Sequence, residues 1–330
     1  EEFERAVRHG IRQDGQYLYP AMPYPSFAGI TDEDLQALYV YFMHGVQPQP
    51  DTNRENPLPW PFSVRSLMAG WNMLFLPDEP APIDPDRSPQ WQRGAYLVRS
   101  LGHCGACHTP RGFAGQEKAL SEEDGPQYLA GAVLDDWYAP GLPRLLKGSM
   151  RAWTEDDLVQ LLRTGRNPHS AASGPMADVV QHSMQHMRDD DLRAIATYLL
   201  SLPVPEANAD DDTQVSADAA DAANRLANLQ VETLGARLFV DNCMGCHRSD
   251  GEGDARIFPA LRGNALTNAG DPASVIHIIL AGSAMASTRE APSPLSMPAF
   301  DWRLSDEEVA ELATFVRTAW YVCAIPGFSI

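Results

Sequence analysis

An all-α chain, built as tandem copies of one small helical unit joined by proline-rich and acidic linkers, is the fold the sequence predicts. Three observations predict it. One amphipathic helix signature is written three times; a Cys-x-x-Cys-His motif is written twice, at the same place in the repeat; and the intervening stretches are too rich in proline, or in acid and alanine, to belong to a core.

The helix signature is the clearest element. Thr31-Asp-Glu-Asp-Leu35, Arg188-Asp-Asp-Asp-Leu192 and Ser305-Asp-Glu-Glu-Val309 each open with carboxylates. Such groups suit a helix N-terminus, where backbone N–H groups lack partners and the dipole is positive. Ser305 with Glu308 spells a capping box. Apolar residues follow at i, i+3, i+4 and i+7: Leu35, Leu38, Tyr39 and Phe42; Leu192, Ile195, Ala196 and Leu199; Val309, Leu312, Ala313 and Val316. The expectation is one buried stripe in each copy.

Ahead of each of these helices lies another that ends at a glycine, Gly10, Gly165 or Gly282, placed for a left-handed cap. A loop with a methionine comes next, holding Met22, Met176 or Met297. In the second and third copies, Gly94-Ala-Tyr-Leu97 and Gly235-Ala-Arg-Leu238 open an amphipathic stretch that runs into the Cys motif. The unit therefore reads helix, Cys-x-x-Cys-His, loop, helix, methionine loop, helix. The first copy shows no Cys motif, and the expectation is that the chain starts inside it, at a processed or trimmed end.

The linkers carry different chemistry. Residues 47–90 hold Pro48, Pro50, Pro57, Pro59, Pro61, Pro77, Pro80, Pro82, Pro85 and Pro89, a density that predicts an extended strap without regular structure. Trp60, Phe62, Trp71 and Phe75 within it are expected to pack on neighbouring structure. Residues 204–232 are acidic and alanine-rich, which predicts a mobile connection with one short helix from Ala217 to Leu229.

Chemistry enters with the two motifs, Cys104-Gly-Ala-Cys107-His108 and Cys243-Met-Gly-Cys246-His247. Two thiols at this spacing can bond the vinyl groups of one haem, and the adjacent histidine can take the iron from below. A structural zinc site would need no histidine directly after each second cysteine, and both copies have one. For the sixth iron ligand the repeat singles out Met176 and Met297, with Met184, Met187 and Met285 as competitors. A thioether ligand raises the reduction potential and suits electron transfer, whereas a peroxide-cleaving haem needs an open distal side. His169, His182, His186 and His277 are available for such a side but stand singly. There is no nucleophile elbow, phosphate loop or dinucleotide fingerprint.

Bulk properties narrow the setting. With a formal net charge of −19 and a pI near 4.7, the chain is a poor partner for nucleic acid. No apolar run reaches the length of a membrane span. Four of the five cysteines are in the motifs, leaving Cys323 over, so no disulfide framework is expected. Covalent haem implies assembly on the outer face of the bacterial inner membrane, so the expected location is the periplasm.

The chain resembles the cytochrome c subunits of the membrane-bound alcohol, fructose, sorbitol and gluconate dehydrogenases of acetic acid bacteria and related proteobacteria. The resemblance is carried by Ala6-Val-Arg-His-Gly-Ile11, Leu18-Tyr-Pro-Ala-Met-Pro-Tyr24, Leu101-Gly-His-Cys-Gly-Ala-Cys-His-Thr-Pro-Arg111, Gly174-Pro-Met-Ala177 and Met297-Pro-Ala-Phe300. It implies tandem class I cytochrome c domains at 91–203 and 233–322, and the C-terminal part of a first one at 1–46. Residues 323–330 form a tail that departs from the family's usual ending. By the same resemblance, haem c is held through Cys104 and Cys107 and through Cys243 and Cys246. His108 and His247 are then the proximal ligands, Met176 and Met297 the distal ones, and the carbonyls of Pro140 and Pro259 orient the histidines. Met22 matches the distal ligand of a third haem, which a segment ahead of this chain would have to supply.

The function so implied is electron transfer. A partner dehydrogenase of quinoprotein, flavoprotein or molybdenum type gives electrons to the chain, which delivers them to ubiquinone or another acceptor with at most peripheral contact to the membrane. The chain is not expected to oxidise the substrate itself. The alternatives are a dihaem cytochrome c peroxidase and a free dihaem shuttle.

Overall fold

A computed structural model describes residues 1–50, 58–60, 63–147, 152–204, 214–215 and 219–322. Cys323 and the tail lie outside them, as do Phe62, Pro57, Pro61 and residues 205–213 and 216–218 of the acidic linker. The described residues are mainly helical, and they divide into two compact units, Glu1–Leu129 and Ala130–Ile330.

In the first unit, helix Glu2–His9 stops at Gly10, whose φ of 62° and ψ of 33° are left-handed. A side chain there would run into the ring of Tyr24, 2.6 Å away. Tyr24 is fully buried, and its hydroxyl donates to Asn72 Oδ1 at 2.6 Å while Asn72 Nδ2 donates to the His9 carbonyl at 3.0 Å. Asn72 thus ties three segments together around one satisfied polar group.

Asn72 belongs to a helix, Leu67–Phe75, in the stretch expected to lack regular structure. The prolines cluster on either side and leave the run from Phe62 to Leu76 free of them, long enough for two turns. Trp71 packs edge-on to Tyr24 and donates its indole N–H to the Ala114 carbonyl at 2.9 Å, and Phe75 meets Phe113. Trp60, by contrast, is 82% exposed.

Thr31 caps helix Asp32–Val40 by accepting from the Asp34 N–H at 3.3 Å. The stripe behind it departs from expectation: Leu35 is buried, but Tyr39 and Phe42 are 41% and 53% exposed. Phe3 touches both rings without covering them. The corresponding positions in the other two copies are buried because a neighbouring helix lies on them. Ser88 caps the next helix of this unit, Pro89–Tyr96, which widens into a π-helical turn at Leu97–Leu101. Its buried residues lead into the first Cys motif.

The second unit begins with an antiparallel hairpin, Gly131–Leu134 with Trp137–Pro140. A capping box between Thr154 and Asp157 starts helix Glu155–Thr164, and Gly165 closes it in left-handed geometry. Helix Pro175–His182 and helix Asp189–Ser201 follow, the latter burying Leu192, Ile195, Ala196 and Leu199 as the spacing requires. A short helix, Ala219–Ala227, stands within the acidic linker close to its expected place.

Helices Leu234–Asn242, Ala273–Ala281 and Asp306–Thr318 build the last core. The first and third pack so closely that a side chain at Gly235 would overlap the Glu311 carbonyl and come within 2.7 Å of Phe315 Cβ. Phe239 and Trp320 are fully buried beside Phe315, with ring centroids 5.5 to 6.2 Å apart. Burying each large ring contributes roughly 1.5–3 kcal/mol, and each favourable ring pair about 0.5–1.5 kcal/mol more. The Ser305 capping box starts the third helix as predicted. Gly282 differs from its two counterparts, with φ 73° and ψ −176°. Its Cα faces the Met297 carbonyl, 2.6 Å from where a Cβ would stand, so here glycine serves a close approach of the methionine loop.

Candidate haem sites

Each Cys-x-x-Cys-His motif forms a single helical turn, Gly105–His108 or Met244–His247. Three residues apart on such a turn, two cysteines fall on one side, and the four motif sulfurs are free thiols. Among the described residues no three His, Cys, Asp or Glu side chains gather as a metal-ion site, the arrangement a structural zinc needs.

The second motif shows its histidine geometry in full. His247 is 9% exposed, and its Nδ1 lies 2.9 Å from the Pro259 carbonyl oxygen. A carbonyl can only accept, so Nδ1 carries the proton and Nε2 keeps a free lone pair. Burial holds the imidazole below its usual pKa against the opposing pull of that hydrogen bond. The result is a neutral, oriented nitrogen base, the form that binds iron.

The loop from 248 to 259 is wound tightly to bring Pro259 there. Gly253 takes φ 60° and donates to the His247 carbonyl at 3.1 Å, and a side chain on it would overlap the Phe258 carbonyl. Cys243 is buried while Cys246 is exposed, and burial, with Cys246 nearby, pushes the Cys243 thiol up to about 12. Met297 is half-buried in the short strand pair Ser283–Ala284 with Ser296–Met297.

Around the first motif, a hairpin grips the helical turn. Arg111 donates to the Gly115 carbonyl at 3.1 Å and also to the Ala106 carbonyl within the motif. Its partner in the hairpin, Glu117, is buried, 3.9 Å from Arg111 and 2.5 Å from where a Gly105 Cβ would stand. Burial pushes Glu117 up to about 7, with Arg111 pulling the other way. The Cys104 thiol is pushed up to about 12, first by burial and then by Cys107. Sequence reasoning passed over Glu117, whose signal is only an acid ten residues after a motif cysteine.

Met176 and Pro140 belong to the second unit. Met176 is half-buried against a cluster of Ala172, Ala177, Val180 and Ala286. Pro140 ends the strand Trp137–Pro140, opposite Gly131. Gly174, two residues before Met176, is covered by the Trp137 indole, and Trp137 in turn lies 4.4 Å from the His277 ring. Of the competing methionines, Met184 is a core residue, and Met285 Sδ lies 3.8 Å from Arg166 Nη1. Met22 is half-buried in the first unit, in the turn before Tyr24.

The sequence profile of the cytochrome c family matches residues 232–320. Across 97% of its length the chain is 45% identical to the gluconate 2-dehydrogenase cytochrome c subunit of Pantoea cypripedii, covering 73% of that protein.

The chain belongs to this family of cytochrome c subunits.

It is also 46% identical to the cytochrome c subunit of the quinone alcohol dehydrogenase of Gluconacetobacter polyoxogenes, over 97% of this chain and 68% of that one. With the fructose dehydrogenase cytochrome subunit of Gluconobacter japonicus the identity is 38%, over 96% and 66%. As a cytochrome c subunit, the protein carries haem c and transfers electrons. The residues of the two motifs fit that group: paired thiols on one turn, and, at the second, a buried neutral histidine whose free nitrogen is fixed by a backbone carbonyl.

Proposed function

We propose that this cytochrome c subunit relays electrons from a partner dehydrogenase of alcohol, sugar or aldehyde to ubiquinone or another acceptor, on the periplasmic face of the bacterial inner membrane. Cys104 and Cys107 anchor one haem, with His108 and Met176 as iron ligands and the Pro140 carbonyl as orienting group. Cys243 and Cys246 anchor a second, with His247, Met297 and Pro259 in the same roles. Met22 serves a third haem wherever a preceding segment supplies its Cys motif. The domains are then tandem cytochrome c folds at 91–203 and 233–322, with linkers at 47–90 and 204–232.

The single observation that carries this reading is the bond between His247 and the Pro259 carbonyl, which prepares a ligand nitrogen for iron. Bound haem supplies a one-electron couple. The chain's cysteines hold it covalently, and the Pro259 carbonyl fixes the ring of the proximal histidine. The relatives are named as subunits of dehydrogenases, which supports a dehydrogenase partner and does not favour a dihaem peroxidase or a free shuttle. No helix among the described residues is long and apolar enough to cross a membrane.

Purification of the cytochrome from its native membranes tests the proposal. A large dehydrogenase is expected in fixed stoichiometry, and adding that enzyme's substrate should reduce the cytochrome's haems. Recovery of the cytochrome alone, with haems that no co-purified enzyme reduces, would overturn it.

A further inference from the structure

Two arginines among the described residues are buried to the same extent, Arg99 and Arg166, each 8% exposed. They differ in what neutralises them. Arg99 is paired with the Glu122 carboxylate through two nitrogens. Arg166 has no carboxylate partner among the described residues, although the chain carries 44 acidic side chains against 25 lysines and arginines. Its Nη1 donates to the Arg256 carbonyl at 3.3 Å and lies 3.8 Å from Met285 Sδ, and its Nε is buried with no partner.

A guanidinium removed from water without a counter-charge is costly. It cannot escape the cost by losing its proton, as a buried lysine can. The guanidinium is planar, and its unsatisfied Nε edge suits the paired oxygens of a carboxylate.

The location says where that carboxylate comes from. Arg166 follows the Gly165 cap on the segment that leads to Met176. It reaches Arg256, in the loop between His247 and Pro259, and Met285, next to the strand that pairs with Met297. At the same seam, a side chain on Gly165 would come 2.9 Å from Ala286 Cβ, and Ala286 shares one apolar cluster with Met176. The two methionine loops therefore meet here, and a positive charge is buried between them.

We propose that Arg166 binds a haem propionate, so that this guanidinium anchors a haem by its carboxylate edge and holds its reduction potential up. The proposal rests on the reading that the chain carries haem at these sites. A fixed positive charge beside a haem disfavours the ferric form, so its removal lowers the potential.

The test uses the haem-loaded protein and Arg166→Gln, which keeps an N–H donor for the Arg256 carbonyl but removes the charge. Arg166→Lys keeps the charge and loses the fork. Potentiometric titration should show the redox equilibrium of one haem moved about tenfold toward the ferric form in Arg166→Gln, about 59 mV for a one-electron couple. Arg166→Lys should recover most of it. Unchanged potentials in a fully haem-loaded Arg166→Gln protein would reduce Arg166 to a partner for a backbone carbonyl and overturn the proposal.

If Arg166→Gln does not fold, infrared difference spectra of the unaltered and Arg166→Lys proteins, with isotope-labelled propionates, decide the matter. A labelled carboxylate band that shifts on substitution is expected. A band that stays in place, or a potential that instead follows the chloride concentration, would overturn the proposal. Haem content per chain is measured in every sample: a protein without haem defeats the electron-carrier reading itself, whereas full haem with no charge effect defeats only the role of Arg166.

Discussion

His247 Nδ1 and the Pro259 carbonyl oxygen stand 2.9 Å apart, and twelve residues of tightly wound loop are arranged to keep them there. The contact decides which imidazole nitrogen is free, and the rigid φ of proline fixes where the acceptor points. Pro259→Ala keeps the carbonyl but frees the backbone. We expect haem attachment to survive and electron delivery to an acceptor to fall about tenfold, the low end of the cost of disturbing a ligand's orienting bond. Stopped-flow oxidation of the reduced protein measures this, and an unchanged rate would show that the Pro259 contact is incidental.

Met297→Ala is expected to lower the potential of one haem by well over tenfold in its redox equilibrium, because a thioether ligand stabilises ferrous iron. Met176→Ala should do the same to the other haem. Met285→Ala serves as the comparison and should leave iron ligation intact. A redox titration of each variant checks all three, and a titration of Met297→Ala that matches the parent would remove Met297 as a ligand.

Gly235→Ala adds a methyl group against the Glu311 carbonyl and the Phe315 side chain, where two helices cross with no spare room. The expected loss is about 1–3 kcal/mol, the usual range for an overpacked core. Urea unfolding of the holoprotein measures it, and an unchanged midpoint would mean that the crossing relaxes freely.

Glu117 makes stability depend on pH. Its folded pKa, about 7, stands above the unfolded value of 4.5, so between those pH values the folded chain holds a proton that the unfolded chain has released. The contribution is full below about pH 4.5 and is lost as pH rises to about 7, by about 3 kcal/mol at most. The thermal midpoint of the parent relative to Glu117→Gln should therefore fall across that window. A difference that stays flat or rises would contradict the assignment.

Much of this was legible from residue order alone. The caps at Thr31 and Ser305, the buried stripes of helices Asp189–Ser201 and Asp306–Thr318 and the turns of the Cys motifs are local, and 3.6-residue periodicity or i, i+3 spacing is enough to specify them. What escaped depends on partners distant in sequence. Helix Leu67–Phe75 is held by Asn72 bonding to Tyr24 and His9, which proline counting does not register. Tyr39 and Phe42 follow the helical period yet are exposed, because burial also needs a covering helix. Arg166 belongs to no motif, and only the meeting of two distant loops shows that its charge is buried.

On the proposed reading, this chain carries its electrons on haems held by one histidine and one methionine each. Near-infrared magnetic circular dichroism of the oxidised protein, combined with a haem count per chain, tests it most directly. We predict two haems per chain, both low-spin with His/Met ligation. Fewer than two, or a high-spin haem with an exchangeable site, would contradict the account.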